Sequence, residues 1–337
     1  MHPVRVTVVV PTLAAGPQLL ECLASLEAQT LPDVQVVVVD NSGCGALHKL
    51  GAARFRFRLI ENRFNVGFGA AVNQGWRLVP SEFCAVLNDD AIADPRWLEH
   101  LVAAMERRPK AGMAATRIVA LDRGCLDSAG MLIARDGSSK QRGHGEPPES
   151  FVSEEDVLLP SGCAALYRRS MLEQTGLFDE EFFLYCEDTD LGLRAQWAGW
   201  GCVYVPEARV AHGYSRSSGA ASAIKAWHVE RNRLRLCLRC LPLSWLAAVP
   251  LFAAVRYAWH LIAMLEGHGK AAEFRQAGGN GWRLPWLVLK AHVALLAALP
   301  SLLQQRATIS RTRKVSPRDF ASRLRNHSIS LRSIASL

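Results

Sequence analysis

The chain reads as an α/β protein, a doubly wound sheet of alternating strands and helices followed by a basic helical C-terminal extension. Three observations predict this. β-Branched runs stop abruptly at turn residues, apolar residues recur at helical spacing between those runs, and the charge balance changes sharply toward the C-terminus. Residues 1–208 carry 19 basic and 27 acidic side chains, whereas residues 209–337 carry 20 and 4. An acidic body is thus joined to a basic tail, so the tail is expected to meet something anionic.

The first two runs, VRVTVVVPT at 4–12 and VQVVVVDNSG at 34–43, end at Pro-Thr and Asn-Ser-Gly, as buried parallel strands do. Between them, Leu19, Leu20, Leu23 and Leu26 mark one face of a helix. The pattern repeats with a strand near 57–61, a helix in FGAAVNQGWRLV and a strand in FCAVLNDDA. A helix in DPRWLEHLVAAMERRP follows, with Asp94 as the expected N-cap and Pro95 in the first turn. Such alternation implies a ligand site at the carboxyl ends of the strands. Thr12, Asp40, Asn62 and Asn88-Asp89-Asp90 are expected together on that edge.

Residues 122–160 lack periodicity and read as a hairpin and a mobile loop suited to a lid. A short strand and helix resume in GCAALYRRSMLEQTG. A second acidic group, Glu187, Asp188 and Asp190, then opens a helix, and a strand in CVYVP precedes His212. Beyond Lys225 come two long apolar stretches broken by Pro, Arg, Lys and His. The run from Leu243 to Leu265 approaches the ~20 residues that span a bilayer. Arg256 near its centre would cost roughly 2.5–3.5 kcal/mol on insertion. Lying at the interface therefore fits better, with Arg256 snorkelling and Trp245, Trp259, Trp282 and Trp286 at headgroup level. Packing of these helices on a soluble body is the competing reading. Nucleic acid is disfavoured, because the tail's charges alternate with apolar runs instead of forming a solvated basic face.

Nine scattered cysteines read as free thiols in a reducing compartment. Cys237-x-x-Cys240 lacks the further ligands a zinc site needs and is read as helical spacing. The N-terminal apolar run is too short for a signal peptide, so the body is expected in the cytoplasm, with the basic tail expected to make it peripheral on the cytoplasmic face of the cell membrane.

An apolar strand ending in Asn-Asp-Asp offers hard oxygen ligands on a rigid support, suited to Mg²⁺ or Mn²⁺ held partly through substrate phosphates. A capped acidic turn is the simpler alternative. Glu187 and Asp188 follow aromatic bulk, which raises a carboxylate's pKa, while the helix dipole lowers it. His212 is an ordinary histidine by default and a plausible imidazole ligand once a metal is proposed. Gly67-x-Gly69 is a poor dinucleotide fingerprint, since Val72 stands at the third small position and the third strand, not the first, precedes it.

The ordered series VVVPTL, VVVVDNSG, NVGFGAAVNQG, LNDDA, SGCAALYRRSMLEQTGLFDEEFFLYCEDTDLGLR, ARVAHGYS and ERNRLRL resembles family 2 glycosyltransferases of the GT-A fold. The likeness is strongest to rhamnosyltransferase-like, non-processive members; the Gln-x-x-Arg-Trp signature of processive ones is absent, so a single transfer per encounter is expected. The resemblance implies a nucleotide-sugar-dependent domain over 1–225 and a helical, membrane-associated region over 226–337. It assigns Pro11, Thr12, Asp40, Asn65, Gly67 and Asn73 to nucleotide-sugar binding. Asn88-Asp89-Asp90 matches the D-x-D motif, with Asp90 the metal ligand, Asn88 in place of the first acid and Asp89 beside the donor. It further assigns Asp188 as catalytic base, His212 as second metal ligand, and Glu187, Arg216 and Arg231 to the acceptor or leaving-group side. The implied reaction is inverting transfer from dTDP-rhamnose or a UDP-sugar to a cell-envelope glycan or lipid-linked saccharide. A catalytically inactive nucleotide-sugar-binding protein or membrane scaffold is the alternative.

Overall fold

Parallel pairing of the β-branched runs sets the architecture of this computed structural model, which describes residues 4–213, 223–267 and 283–336. Strand β1 (Val6–Thr12) pairs with β2 (Val34–Asp40) in the register Val6↔Val34 to Thr12↔Asp40. Strand β2 pairs with β3 (Arg58–Glu61), and β1 with β4 (Phe83–Leu87), both again parallel. Thr12, Asp40, Glu61 and Leu87 therefore end on one edge of the sheet, as the sequence pattern predicts.

Helices cover both faces. Helix α1 (Gln18–Glu27) and α3 (Trp97–Arg107) contribute Leu19, Leu23, Leu26, Leu98 and Leu101 to the core containing Val6, Val8 and Val10. Helix α2 (Phe68–Leu78) lies on the opposite face, where Gly75 is needed for closeness: a Cβ there would sit 2.5 Å from a Val9 methyl. Alternate residues of one strand serve the two faces, so both must be apolar.

The sheet continues with mixed polarity. Strand β11 (Ala164–Arg168) runs antiparallel between β4 and β6 (Ala111–Ala120), and β6 is parallel to β12 (Gly201–His212). Short strands β5 (Ala91–Ala93), β7 (Leu126–Ser128) and β10 (Glu155–Val157) join β12, β6 and β12 respectively. Strands β8 (Met131–Ile133) and β9 (Ser139–Gln141) form a separate ribbon. Residues 122–160 thus hold the expected hairpin, β8–β9, and add the short strands β7 and β10 where only a loop was expected. Their three-residue length hides any periodicity in the sequence. The expected CVYVP strand likewise extends from Gly201 to His212.

The start of α3 also differs from expectation. Asp94 makes a turn before the helix, accepting from the Arg96 amide at 3.0 Å through its side chain and from the Trp97 amide at 2.9 Å through its carbonyl. The helix begins at Trp97.

By internal packing the described residues form two compact units. The first is drawn from Met1–Met131, Gln141–Phe183 and Trp200–Ser217, the second from Leu132–Lys140, Leu184–Gly199 and Ser218–Leu337. The second unit is helical, with α4 (Arg169–Thr175) belonging to the first and α5 (Glu187–Trp197), α6 (Ala223–Cys240), α7 (Leu243–Leu246), α8 (Val249–Leu265) and α9 (Arg283–Thr312) to the second. Trp197 stacks on Phe320 with ring centroids 3.8 Å apart and donates to the Cys240 carbonyl at 2.7 Å.

The structure corrects two details of the interfacial reading of residues 243–265, the snorkelling of Arg256 and the headgroup placement of Trp245. Arg256 is buried, with Nε 2.5 Å from Asp136 and Nη2 2.7 Å from Glu230. Arg233 pairs with Glu230 as well, and the Tyr257 hydroxyl donates to it at 2.6 Å. Burial raises the Glu230 pKa, but Arg233 and Arg256 outweigh it and hold the carboxyl well below its usual range. Trp245 is buried too, under the Arg135 guanidinium at 4.4 Å. Pro250 lies in the first turn of α8, where its missing N–H costs nothing. Leu251, Val255, Leu261, Ile262 and Leu265 of α8 are nevertheless exposed, and α9 has a further uncovered apolar span, Pro285–Thr312, long and apolar enough to cross a membrane. Trp282 and Arg216 lie outside the described residues.

All nine cysteines are free. Cys237 Sγ faces the Asp136 carbonyl at 3.1 Å and Cys240 Sγ faces Asp190 at 3.6 Å, so the C-x-x-C pair is helical spacing within α6.

Candidate active site

The acidic triplet leaves β4 as that strand ends, and β5 begins immediately after it. Because β5 pairs antiparallel with β12 in the register His212↔Ala91, Asp90 is delivered beside His212. Asp90 Oδ1 lies 3.2 Å from His212 Nε2, and the Asp90 carbonyl accepts from the Gly213 amide at 2.9 Å. Asn88 Nδ2 reaches the same ring nitrogen at 3.5 Å. The two residues expected to share a metal are therefore neighbours, although 122 positions separate them.

Asp89 turns toward β1. Thr12 Oγ1 donates to its Oδ2 at 2.6 Å and itself accepts from the Ala15 amide at 3.0 Å. Burial pushes the Asp89 carboxyl up to about 6, with Thr12 opposing and the Asp90 charge adding to the rise. The repulsion between adjacent carboxylates is managed by separation: one faces a hydroxyl, the other an imidazole.

His212 has a second partner that no motif indicated. Its Nδ1 lies 2.9 Å from Asp127 Oδ2, and the other oxygen of Asp127 lies 3.2 Å from His144 Nδ1. Strand β7 pairs with β6, and β6 with β12, which sets Asp127 on the far side of the ring from Asp90. Burial lowers the His212 pKa, but the Cys163 sulfur, Asp127 and Asp90 overcome this and hold it well above the ordinary histidine range. Burial raises Asp127, yet its hydrogen bonds and charge contacts with His144 and His212 bring it down to about 2.

Asp40 ends β2 with its carboxylate committed to its own loop, accepting from the Ser42 amide at 2.8 Å and the Leu47 amide at 3.1 Å. Burial raises its pKa, and these bonds more than offset that, leaving it lowered. Pro11 precedes Thr12 in β1 and is partly exposed. Asn65 Oδ1 accepts from the Gly67 amide at 2.9 Å, bending the chain into α2. Gly67 has φ +90°, and a Cβ there would lie 2.5 Å from the Phe183 carbonyl oxygen, so only glycine fits. Asn62 and Gln74 exchange amide hydrogen bonds at 2.9 and 3.0 Å, and Asn62 also donates to Asn41. Asn73 is fully buried, donating to the Phe178 carbonyl at 2.9 Å and accepting from its amide at 3.1 Å. Its side chain braces residue 178 and does not open on the sheet edge.

The remaining candidates lie in the second unit. Asp188 is half-buried in the first turn of α5, accepting from the Thr189 amide at 2.6 Å and hydroxyl at 3.1 Å. Glu187 is buried, and its Oε2 has no hydrogen-bond partner among the described residues. Burial pushes its carboxyl up to about 8, helped by the Asp188 charge. Desolvation thus prevails over the helix dipole at this position. Asp190 is a structural acid, paired with Arg194 at 2.8 Å and Arg239 at 3.1 Å. Arg231 donates to Asn232 Oδ1 at 2.8 Å and lies over the Trp227 ring.

Among the described residues, no group of three or more His, Cys, Asp or Glu is arranged to hold a metal. Asp90 and His212 are a two-ligand set. That suits a cation of the Mg²⁺ or Mn²⁺ type, which takes few protein ligands and completes its shell with water and substrate phosphates.

Comparison with known proteins agrees with this architecture. The profile described as Glycosyl transferase family 2 matches residues 7–176, about half of the chain. The N-acetylglucosaminyl-diphospho-decaprenol L-rhamnosyltransferase of Mycobacterium tuberculosis is 32% identical over 247 residues, covering 66% of this chain and 80% of that protein. Among solved structures, GalNAc-T7 with UDP, GalNAc and Mn²⁺ superposes with TM-score 0.59 at 15% identity, over 72% of this chain and 49% of that one. The mannosyltransferase PcManGT of Pyrobaculum calidifontis, with GDP-Man and Mn²⁺, gives 0.51 at 16% identity, over 97% and 85%. These two structural likenesses speak to the fold alone, which is of the GT-A type. On the profile match and the mycobacterial relative together, the chain belongs to glycosyl transferase family 2.

Proposed function

We propose that this chain is a metal-dependent, inverting, non-processive glycosyltransferase. It moves a sugar from a nucleotide diphosphate to a hydroxyl of a lipid-linked or cell-envelope glycan. L-Rhamnose from dTDP-rhamnose is the first donor to try, with UDP-sugars next. The mycobacterial relative, an N-acetylglucosaminyl-diphospho-decaprenol L-rhamnosyltransferase, supports a rhamnosyl donor and a lipid-linked N-acetylglucosaminyl acceptor. The single observation that carries the reading is Asp90 beside His212 at the carboxyl edge of the parallel strands.

Asp90 and His212 would hold the Mg²⁺ or Mn²⁺ ion, which when bound neutralises charge on the donor diphosphate. Pro11, Thr12, Asp40, Asn65, Gly67, Asn88 and Asp89 would form the nucleotide-sugar side, several of them by holding the backbone in place. Asn73 would act through the packing of residue 178. Asp188 would remove the proton from the acceptor hydroxyl as its oxygen attacks the anomeric carbon. The bond to the diphosphate breaks on the opposite face, which inverts the anomeric configuration. Glu187, Arg216 and Arg231 are assigned to the acceptor or leaving-group side. Residues 1–225 would be the transferase domain. Residues 226–337 would include the contact with anionic lipid on the cytoplasmic face, which suits a lipid-linked acceptor.

Turnover and donor binding of Asp188→Asn test the reaction. The reading expects turnover to fall at least a hundredfold, in line with removal of a general base, while donor binding is retained. Undiminished turnover would remove Asp188 from the mechanism.

A further inference from the structure

Asp127 stands outside every motif that the family resemblance uses, yet its carboxylate is held between two histidines. It is buried, and each of its oxygens meets a different imidazole: Oδ2 lies 2.9 Å from His212 Nδ1 and Oδ1 lies 3.2 Å from His144 Nδ1. The Asp127 backbone carbonyl also lies 3.2 Å from His144 Nδ1, so that histidine braces the residue at two points. An imidazole held at Nδ1 by a carboxylate directs its Nε2 the opposite way. At His212 that direction is toward Asp90 Oδ1, 3.2 Å away. Carboxylates that orient a ligating histidine fix its tautomer and raise its basicity, and their loss typically costs about 10–100-fold in metal affinity.

We infer that Asp127 is a positioning residue that, braced by His144, locks His212 with Nδ1–H toward itself and Nε2 toward Asp90, so that those two side chains can grip a divalent cation. The inference rests on the metal reading above and adds to it a residue supplied by a three-residue strand. The burial of the pair makes the assignment specific. Without Asp127 the buried ring loses the contact that fixes its Nδ1, and a buried carboxylate without the imidazoles would be uncompensated.

The test is Mn²⁺ binding, followed by the electron paramagnetic resonance of the free ion, with no nucleotide or sugar present. Asp127→Ala should bind Mn²⁺ about 10–100-fold more weakly, and Asp127→Asn, which keeps the shape and one acceptor, should lose less. On a His212→Ala background, Asp127→Ala should have almost no further effect, because the two act through one ligand. Far-UV circular dichroism establishes that each variant is folded, and Asp127→Asn carries the comparison should Asp127→Ala unfold. Equal Mn²⁺ affinity in the unaltered chain and Asp127→Asn together with Asp127→Ala would overturn the inference alone. So would an Asp127→Ala loss that persists in full without His212. Failure of the unaltered chain to bind Mn²⁺ would overturn the metal reading and the inference with it.

Discussion

Asn232 on α6 donates to the backbone carbonyl of Tyr185 at 2.8 Å, and the same amide nitrogen donates to the Leu184 carbonyl at 2.9 Å. One side chain therefore holds the turn that precedes Glu187 and Asp188. That turn is strained, since Tyr185 and Cys186 have φ of +71° and +68°, a left-handed conformation that non-glycine residues rarely adopt. Asn232→Ala would leave both partly buried carbonyls without this donor, at about 1–3 kcal/mol. Urea unfolding should show this loss. A loss below the scatter of surface substitutions would mean that the turn is stabilised by other contacts.

Arg256 joins two carboxylates from distant parts of the chain, Asp136 and Glu230. Removing the cation leaves two buried carboxylates to share Arg233, so Arg256→Ala should cost about 3–5 kcal/mol. The same variant should leave vesicle binding of the folded fraction unchanged, because the side chain points inward. Reduced vesicle binding at unaltered stability would restore Arg256 to the surface.

Glu187 makes stability pH-dependent with a definite sign. Its folded pKa of about 8 exceeds the unfolded value of ~4.3. Stability from this group is complete below the unfolded value and is lost as pH rises to the folded one, with a slope of up to about 1.4 kcal/mol per unit. Glu187→Gln cannot ionise and should flatten that slope. Denaturation midpoints of the two proteins from pH 5 to pH 8 should diverge, the variant being relatively more stable at the alkaline end. Parallel curves would contradict the burial-driven shift.

Trp286, Leu289, Val293 and Leu296 are exposed on α9 and recur at steps of three and four, one face of a helix. If this face rests on lipid, replacing Trp286 and Leu296 by Ser should reduce binding to phosphatidylglycerol vesicles at least tenfold, since each buried large apolar side chain contributes about 1.5–3 kcal/mol. Thermal stability should stay level, as neither side chain is covered by the protein. Undiminished vesicle binding would shift the contact elsewhere.

Much of this architecture was legible in the sequence, and the limits have physical causes. The parallel edge could be read because Val6–Thr12, Val34–Asp40 and Phe83–Leu87 are long apolar runs stopped by polar residues. The meeting of Asp90 with His212 followed only from motif order, since the antiparallel pairing that causes it involves the three residues of β5. Asp127 was not legible at all: Leu-Asp-Ser shows no period, and its two histidine partners are not in sequence proximity. Arg256 was misread for a related reason. A charge inside an apolar run signals lipid headgroups or a buried partner equally well, and its partner Asp136 lies 120 residues away.

The measurement that bears most directly on the central claim is the thermal shift of the full chain with dTDP-rhamnose, UDP-sugars and their nucleotide diphosphates, with and without Mn²⁺, beside Asp90→Ala. A ligand at about 100 times its Kd stabilises by about 2.7 kcal/mol. The account predicts a shift for at least one nucleotide that requires Mn²⁺ and disappears in Asp90→Ala. A shift of equal size without Mn²⁺, or one that survives in Asp90→Ala, would contradict a cation held by Asp90 and His212; no shift with any of them would contradict the nucleotide-sugar site itself.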